Sequence, residues 1–515
     1  TVYEYVGTAA FTGDLADQDF NDPRSWREVR TPHGAQVRAY LENASVTAGG
    51  DLTLTATSRQ TIGAVVVAAS VAVGAGSVGL GGAGAGSSAE NHISVDTRAF
   101  IDGDGGGITA DRVTLTASDT STIRADVGSA ALAAAFAGSG AVTVAIGVAL
   151  ASNTISNSVE AYILDADVTA TVDDITLTAT EAASIVGVAV AASAAVSGSG
   201  AFALSIAGAG AHADNLVLTA TRAFAERSQL TTTGADGDVV LSADDTSEII
   251  ATIVAVAASV AISGGISGAV AIGAAVARNR TGVDSGSEED RNQVQAYLRD
   301  TSVAASGDLA LTATAAQLIR AVVAAGSVAI AGGQYGLAIA GSGAESRNSI
   351  ATLVQAFIDG DGDAGISADA VSLTARDTAS ISATTVGASV AASVAIGGAV
   401  AVAVALAHND IDNRVEAFIQ DTDDLNATAG GVTVTAVSRS QDLFSIDSPP
   451  SRDDLDDGDG LASLTDAFAA HDRTLGPDLD LVTMNPSSST WLLLDRTTGT
   501  GYVLRWDADT GQLRV

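Results

Sequence analysis

The feature that most constrains this chain is a cadence that returns every sixty-odd residues. An A-[YF]-[IL] triplet is followed about 15 residues later by [LV]-T-A, and then by a long run of Ala, Gly, Val and Ser. The clearest copy reads Ala39-Tyr40-Leu41, then Leu54-Thr55-Ala56, then AVVVAASVAVGAGSVGLGGAGAGSS. The alanine of the triplet recurs at Ala99, Ala161, Ala296, Ala356 and Ala417, with a degenerate copy at Ala223-Phe224. A longer period overlies the short one. Ala39 and Ala296 are 257 residues apart, as are Ala99 and Ala356, and AFIDGDGGGITADRVTLTASDTSTI at 99 matches AFIDGDGDAGISADAVSLTARDTASI at 356. Self-similarity at a fixed period means that each unit buries its apolar face against copies of itself. Residues 37–441 are therefore expected to hold about seven modules of ~61 residues, grouped in a four-module super-repeat of ~257.

Within a module the local period is two. Leu52, Leu54 and Ala56 alternate with Thr53, Thr55 and Thr57, and residues 113–116 and 175–178 do the same. These are strands with one aliphatic and one threonine face. GGD, ASGD and DGDGGG supply the turns. The chain reads as all-β: an elongated repeat array, a β-solenoid (β-helix) with an Ala/Gly/Val-rich core. The alternative is a stack of long antiparallel β-hairpins. Hydrophobic residues make up 47 % of the chain but aromatics only 4 %, so the core is thin and closely spaced. The runs at 251–277 and 379–407 carry no charge and are long enough for membrane helices. Their Ala, Gly, Ser and β-branched content and their phase with clear strands argue instead for a buried small-residue sheet core. In GGAGAGSS (81–88), alternating Gly and Ala would let two sheets approach closely. No membrane insertion is expected.

Each run ends at an asparagine: Asn91, Asn153, Asn215, Asn279, Asn348 and Asn409. One per module marks either a turn that tolerates left-handed geometry or an amide ladder stacked along the array. The flanks differ from the array. Residues 1–36 read as an N-terminal cap or linking strand, and 442–490 as an acidic, Pro- and Ser-rich linker with a short helix near 461–472. Residues 491–515 read as a C-terminal β-meander cap. TGVDSGSEEDRN at 281–292 is expected to be an inserted surface loop.

Sixty acidic residues against 24 basic ones, all Arg, give a formal charge of −36. That charge repels nucleic acid and anionic membranes and suits cation-rich surroundings. There is no cysteine, so an extracellular chain of this length would depend on continuous β-ladders. No nucleophile elbow, phosphate loop or HExxH motif occurs, and no enzymatic activity is expected. Calcium is the best candidate ligand. Asp102 and Asp104 occupy the same place in the super-repeat as Asp359, Asp361 and Asp363, and alternating Asp on a Gly-permitted turn can aim several oxygens at a hard cation. The run from Asp454 to Asp459 is similar. The competing reading makes all of them ordinary turn residues. His92, His212 and His408 fall near module ends and would support a weak metal or pH role if they line up.

The cadence A-[YF]-[IL]…[LV]-T-A…(Ala/Gly/Val run)…Asn resembles the repeats of giant bacterial β-strand-repeat surface proteins, the filamentous-haemagglutinin-like and leukotoxin-like filamentous adhesins. The opening YEYVG…DLADQDFNDPRSW is similar to segments of the same family. The likeness spans about 37–441. It implies secretion to the cell surface, a β-helical rod, and adhesion or fibre formation, and it supplies no catalytic residues. The expected function is a structural extracellular protein: a fibre, matrix or adhesin stalk that self-assembles end to end through the terminal strands TVYEYVG and YVLRWD. The alternative is a calcium-responsive module that binds a glycan or cell surface.

Overall fold

Alternating aliphatic and threonine side chains commit each module to strands that bury one face and wet the other. The first module contributes Ala35–Glu42, Val46–Thr47 and Leu52–Ser58. Each of these pairs in parallel and in register with its counterpart one module later, Ala39 beside Ala99, Val46 beside Ile108 and Leu54 beside Leu115. The second and third strands each build a seven-stranded parallel sheet. In this computed structural model the described residues are 2–5, 26–29, 34–283, 290–439, 445–446, 450, 455, 461–470, 475–477, 479–485, 490–495, 497, 500–506 and 512–515. The array is all-β, with parallel sheets stacked in repeats, consistent with a solenoid-like architecture. The three short strands of each coil enclose a core of Ile101, Ile108, Val113 and Leu115 and their equivalents.

The coil turns its first corner through a left-handed residue. Asn43, Asp165, Arg227, Asp300 and Asp421 have φ between 45° and 49°, and Gly103 and Gly360 hold the same place at 71° and 82°. All but Asp421, in the last coil, donate their N–H to the coil that follows, as Asn43 does to the Asp102 carbonyl (2.8 Å) and Gly103 to the Leu164 carbonyl (2.9 Å). The two glycines of the Asp-Gly motifs sit where a Cβ would be most strained.

After the third strand the chain leaves the coil as a long outbound arm, reverses, and comes back as a return arm. The strand Thr61–Asp102 contains both arms and the next coil's first strand. Six such fins begin at Thr61, Thr122, Ser184, Glu248, Leu318 and Ser380. Outbound arms pair only with outbound arms and return arms with return arms, always in parallel. The long antiparallel hairpin is therefore overturned as the unit of hydrogen bonding. The arms of one fin run antiparallel, but they meet through side chains and their ladders run to the neighbouring fins.

The interface between the arms is almost pure alanine, exemplified by Ala133, Ala145, Ala191, Ala207, Ala255 and Ala271. Where the arms come closest, glycine replaces it. A Cβ on Gly147 would lie 2.5 Å from the Ala192 carbonyl oxygen across the gap, and one on Gly81 would lie 2.7 Å from that of Ala134. The expectation that the runs are wholly buried is corrected. Only alternate residues face inward, and the others, Val, Ile and Leu among them, face out. In GGAGAG, Ala83 and Ala85 point in while Gly82, Gly84 and Gly86 point out.

Contacts divide the chain into 1–439 and 440–515. In the first unit, Val2–Tyr5 pairs antiparallel with Trp26–Val29. The second unit has its own core of Ile446, Leu455, Leu464, Phe468, Trp491 and Leu504. The stretch 442–490, expected to be a linker, supplies the helix Leu461–Ala470 and the strand Leu479–Asn485, and its leucines and phenylalanine complete that core. Half of the inserted loop (284–289) and the run Asp454–Asp459, apart from Leu455, lie outside the described residues.

Inward and outward glycines on the fins should respond oppositely to a methyl group. Gly147→Ala must push the arms apart, at a cost of about 1–3 kcal/mol. Gly208→Ala, whose Cβ would meet nothing within 4 Å, should be neutral or stabilising by up to about 1 kcal/mol. Urea denaturation of the two variants checks this.

Candidate functional site

In-register stacking turns every position of the module into a column, so a site on this array is a ladder rather than a pocket. The aromatic of each A-[YF]-[IL] triplet stacks on the next. From Tyr40 through Phe100, Tyr162, Phe224, Tyr297 and Phe357 to Phe418, ring centroids are 4.7–4.9 Å apart and planes tilt by 3–7°. Aromatic pairs add about 0.5–1.5 kcal/mol each beyond burial. Two residues before the ring runs a charged column. Arg98 bridges Asp96 (2.7 Å) and Glu160 (3.0 Å), Arg222 meets Glu160 (3.1 Å), and Gln295, Gln355 and Glu416 continue it by side-chain hydrogen bonds.

The asparagines resolve into a ladder and not into turns. All six lie within return arms, and each Nδ2 donates to the next Oδ1. The links Asn91–Asn153, Asn153–Asn215 and Asn215–Asn279 are 2.8 Å, Asn279–Asn348 is 2.7 Å, and Asn348–Asn409 is 2.8 Å. The first five are buried, so the ladder runs where a lone amide would be costly. All five bonds point the same way, so the first rung, Asn91, has its Oδ1 and the last, Asn409, its Nδ2 without a further rung among the described residues.

The aspartates proposed for calcium serve the corners. Asp104 Oδ2 accepts the Asp167 N–H (2.7 Å), and Asp361 Oδ2 accepts those of Asp423 (3.0 Å) and Asp424 (2.6 Å), so each holds the following coil's backbone. Asp359 is buried with Arg299 Nε at 3.6 Å, Asp102 is half-buried, and Asp363 is exposed. The structure keeps Asp102 near Asp104, and Asp359 near Asp361 and Asp363. The two groups stand four coils apart, about 19 Å at ordinary strand spacing. Among the described residues no group of three or more His, Asp or Glu side chains is placed to hold a metal ion. The three histidines do not line up. His92 shares its column with Thr154, His212 with Leu150, and His408 with Arg347.

The sequence reading missed a column of buried carboxylates that closes the third strand: Asp119, Glu181, Asp245 and Asp377. An acid two residues after [LV]-T-A in three modules, and after Leu241-Ser242-Ala243 in a fourth, is the signal that was present. Asp119 accepts from the Ser121 N–H (2.8 Å) and from Asn157 Nδ2 (2.9 Å). Asp245 accepts from the Ser247 N–H (2.9 Å) and Gln317 Nε2 (2.7 Å). Glu181 is stacked between Asp119 and Asp245, and among the described residues neither of its carboxylate oxygens has a partner in good hydrogen-bond geometry, although Asn157 lies close enough to favour its charge. Burial above all, and then the charges of Asp119 and Asp245, hold its pKa well above the usual carboxylate range.

Comparison with known proteins returns no matching family model, no similar curated protein and no similar solved structure. The array's own ladders and edges therefore carry the functional argument.

Two outcomes follow. A raised folded-state pKa at Glu181 gives stability that is complete below the unfolded carboxylate pKa and lost as pH rises toward the folded one. Glu181→Gln should therefore match the wild type at pH 4 and melt progressively higher than it as pH rises to 8, as calorimetry at several pH values will register. Asp361→Ala should cost about 1–3 kcal/mol in calcium-free buffer, because two backbone donors lose their acceptor. Calcium titration of the wild type and this variant measures any ion contribution separately.

Proposed function

We propose that the chain is a structural, extracellular protein, a β-solenoid that joins end to end into a fibre, matrix or adhesin stalk. The observation that carries this reading is the polarity of the array's two edges. The first coil pairs only with the second, and the last set of strands pairs only with the one before it, among the described residues. The first edge offers the Asn91 Oδ1 acceptor and the last offers the Asn409 Nδ2 donor. Parallel ladders have the same head-to-tail sense, so the last edge of one copy complements the first edge of another. A head-to-tail contact of this kind repeats without closing and generates filaments. A further coil of the same chain would dock by the same rule. The −36 charge keeps such a fibre solvated and resists its clumping.

The joint differs from the terminal strands first considered. Thr500–Trp506 lies between Thr490–Asp495 and Leu513–Arg514, so Arg505 is already paired on both sides and Trp506 with Leu513. The proposal places the joint on the array edges, such as Val432–Ser438. The Gly431 carbonyl accepts the Val371 N–H and the Arg439 N–H donates to the Asp377 carbonyl. Alternation along a parallel ladder then turns the N–H of Val434 to the open side. Val434→Pro should leave the fold and its melting temperature nearly unchanged while abolishing filaments. Electron microscopy of concentrated wild type and variant decides it, and a wild type that stays single-chain at high concentration sinks the reading.

A further inference from the structure

The outer surface of the fins is apolar, and on the return side it is shaped. Outward residues of the return arms align across the six fins in the order Gly84, Ile146, Gly208, Ile272, Gly341, Val402. The column two residues further on reads Gly86, Val148, Gly210, Ala274, Gly343, Val404. At these two positions odd-numbered fins thus carry a glycine trough and even-numbered fins an aliphatic ridge, while nearer the tip odd fins present Leu80, Ile206 and Leu337. The ridges stand in solvent, with Ile146 at 50 %, Ile272 at 55 % and Val402 at 57 % exposure. Nothing inside the chain requires the glycines. A Cβ on Gly84, Gly86, Gly208, Gly210, Gly341 or Gly343 would meet no atom within 4 Å, and none of the six has a positive φ. Glycine in a strand interior weakens the strand and marks places where another surface approaches closely.

We propose that the return face of the fins is the docking surface for a second copy of this chain, packed face to face about a two-fold axis that runs along the arms. Such an axis keeps tip beside tip and reverses the direction of the array. Fin 1 then faces fin 6, fin 2 faces fin 5, and fin 3 faces fin 4, so in these two columns every glycine receives an aliphatic side chain, and nearer the tip Leu80 and Leu204 of fins 1 and 3 meet Gly398 and Gly268 of fins 6 and 4. The same operation brings Asp214, which already pairs with Arg280 of its own chain at 2.9 Å, opposite Arg278 of the other copy. Eleven residues of arm and six strands span about 36 Å by about 29 Å. Pairing would therefore bury about 2,000 Å² in total, within the range of stable interfaces. The outbound face lacks the alternation. Its column Val71, Leu132, Ala194, Ala258, Val328, Val390 shows no trough.

A lipid bilayer is the competing occupant, since the arms are long enough to cross one. The open edges decide against it. The first and last fins would carry whole rows of unpaired N–H and C=O groups into hydrocarbon, where no water can satisfy them. Packing two return faces together leaves those edges wet.

The pairing is independent of end-to-end joining, and the test keeps the two apart by working in the Val434→Pro background. Sedimentation equilibrium of that variant should give twice the chain mass. Adding Gly84→Val, Gly208→Val and Gly341→Val fills the troughs without a clash inside the chain. This variant should melt at or above the temperature of its parent and yet pair at least tenfold more weakly. Ile146→Asp with Ile272→Asp should lose pairing in the same way, while Val71→Thr with Val328→Thr on the outbound face should keep it. A single-chain mass for the Val434→Pro protein overturns the inference, even if the wild type forms filaments. Undiminished pairing after trough filling overturns it as well, as does flotation of single chains with phosphatidylcholine vesicles. A paired Val434→Pro protein whose parent never exceeds two chains upholds this inference and removes only end-to-end growth.

Discussion

Everything in the array depends on one constraint: each coil must hydrogen-bond in register to the coil before it. A parallel ladder stacks residue on residue, so whatever a module places at one position meets its like about 4.8 Å away. Like residues tolerate that only if they can stack. Rings do so face to face and amides by donating to the next amide. Arginine and carboxylate alternate, as at Arg98, Glu160 and Arg222. Carboxylates that stack on carboxylates in the interior are the exception, and Glu181 carries the cost as a displaced pKa.

The same constraint explains what the sequence displayed and what it concealed. The period, the short strands and their inward faces were legible, because Leu54 or Leu115 alternating with threonine reports burial directly. The degenerate copy at Ala223-Phe224 was legible too, and it stands in register with Ala161-Tyr162 and Ala296-Tyr297. The direction in which the long runs face was not. Both faces are apolar there, so polarity gives no contrast. Only side-chain size distinguishes inside from outside, with mostly Ala inward and most of the Val, Ile and Leu outward, and glycine on both faces, so the direction becomes readable only once the pairing of the arms is known. The asparagines were ambiguous because a turn residue and a ladder rung recur with the same period.

The Asp-Gly motifs show another limit. Asp104 and Asp361 with their glycines carry the composition of a cation loop and of a tight corner alike. The structure shows the corner use: the glycine takes the left-handed corner and the carboxylate receives the next coil's N–H groups. At 442–490 composition misled more fully. Acidic residues, Pro and Ser dominate the stretch, yet Leu464 and Phe468, one helical turn apart, are enough to seat the helix in the core of the second unit.

The super-repeat has a consequence for how such a chain can change in length. Four coils form the unit that recurs at 257 residues, and the trough-and-ridge alternation has a period of two coils. Four is a multiple of two, so copying the whole unit leaves the alternation in phase, as fins 1 and 5 are both troughs and fins 2 and 6 both ridges. A gene that lengthens by duplicating this block adds about 19 Å per event and inherits a matched surface without any new substitution. Loss or gain of a single coil would instead invert the pattern downstream. Growth in even steps therefore keeps the pattern in phase.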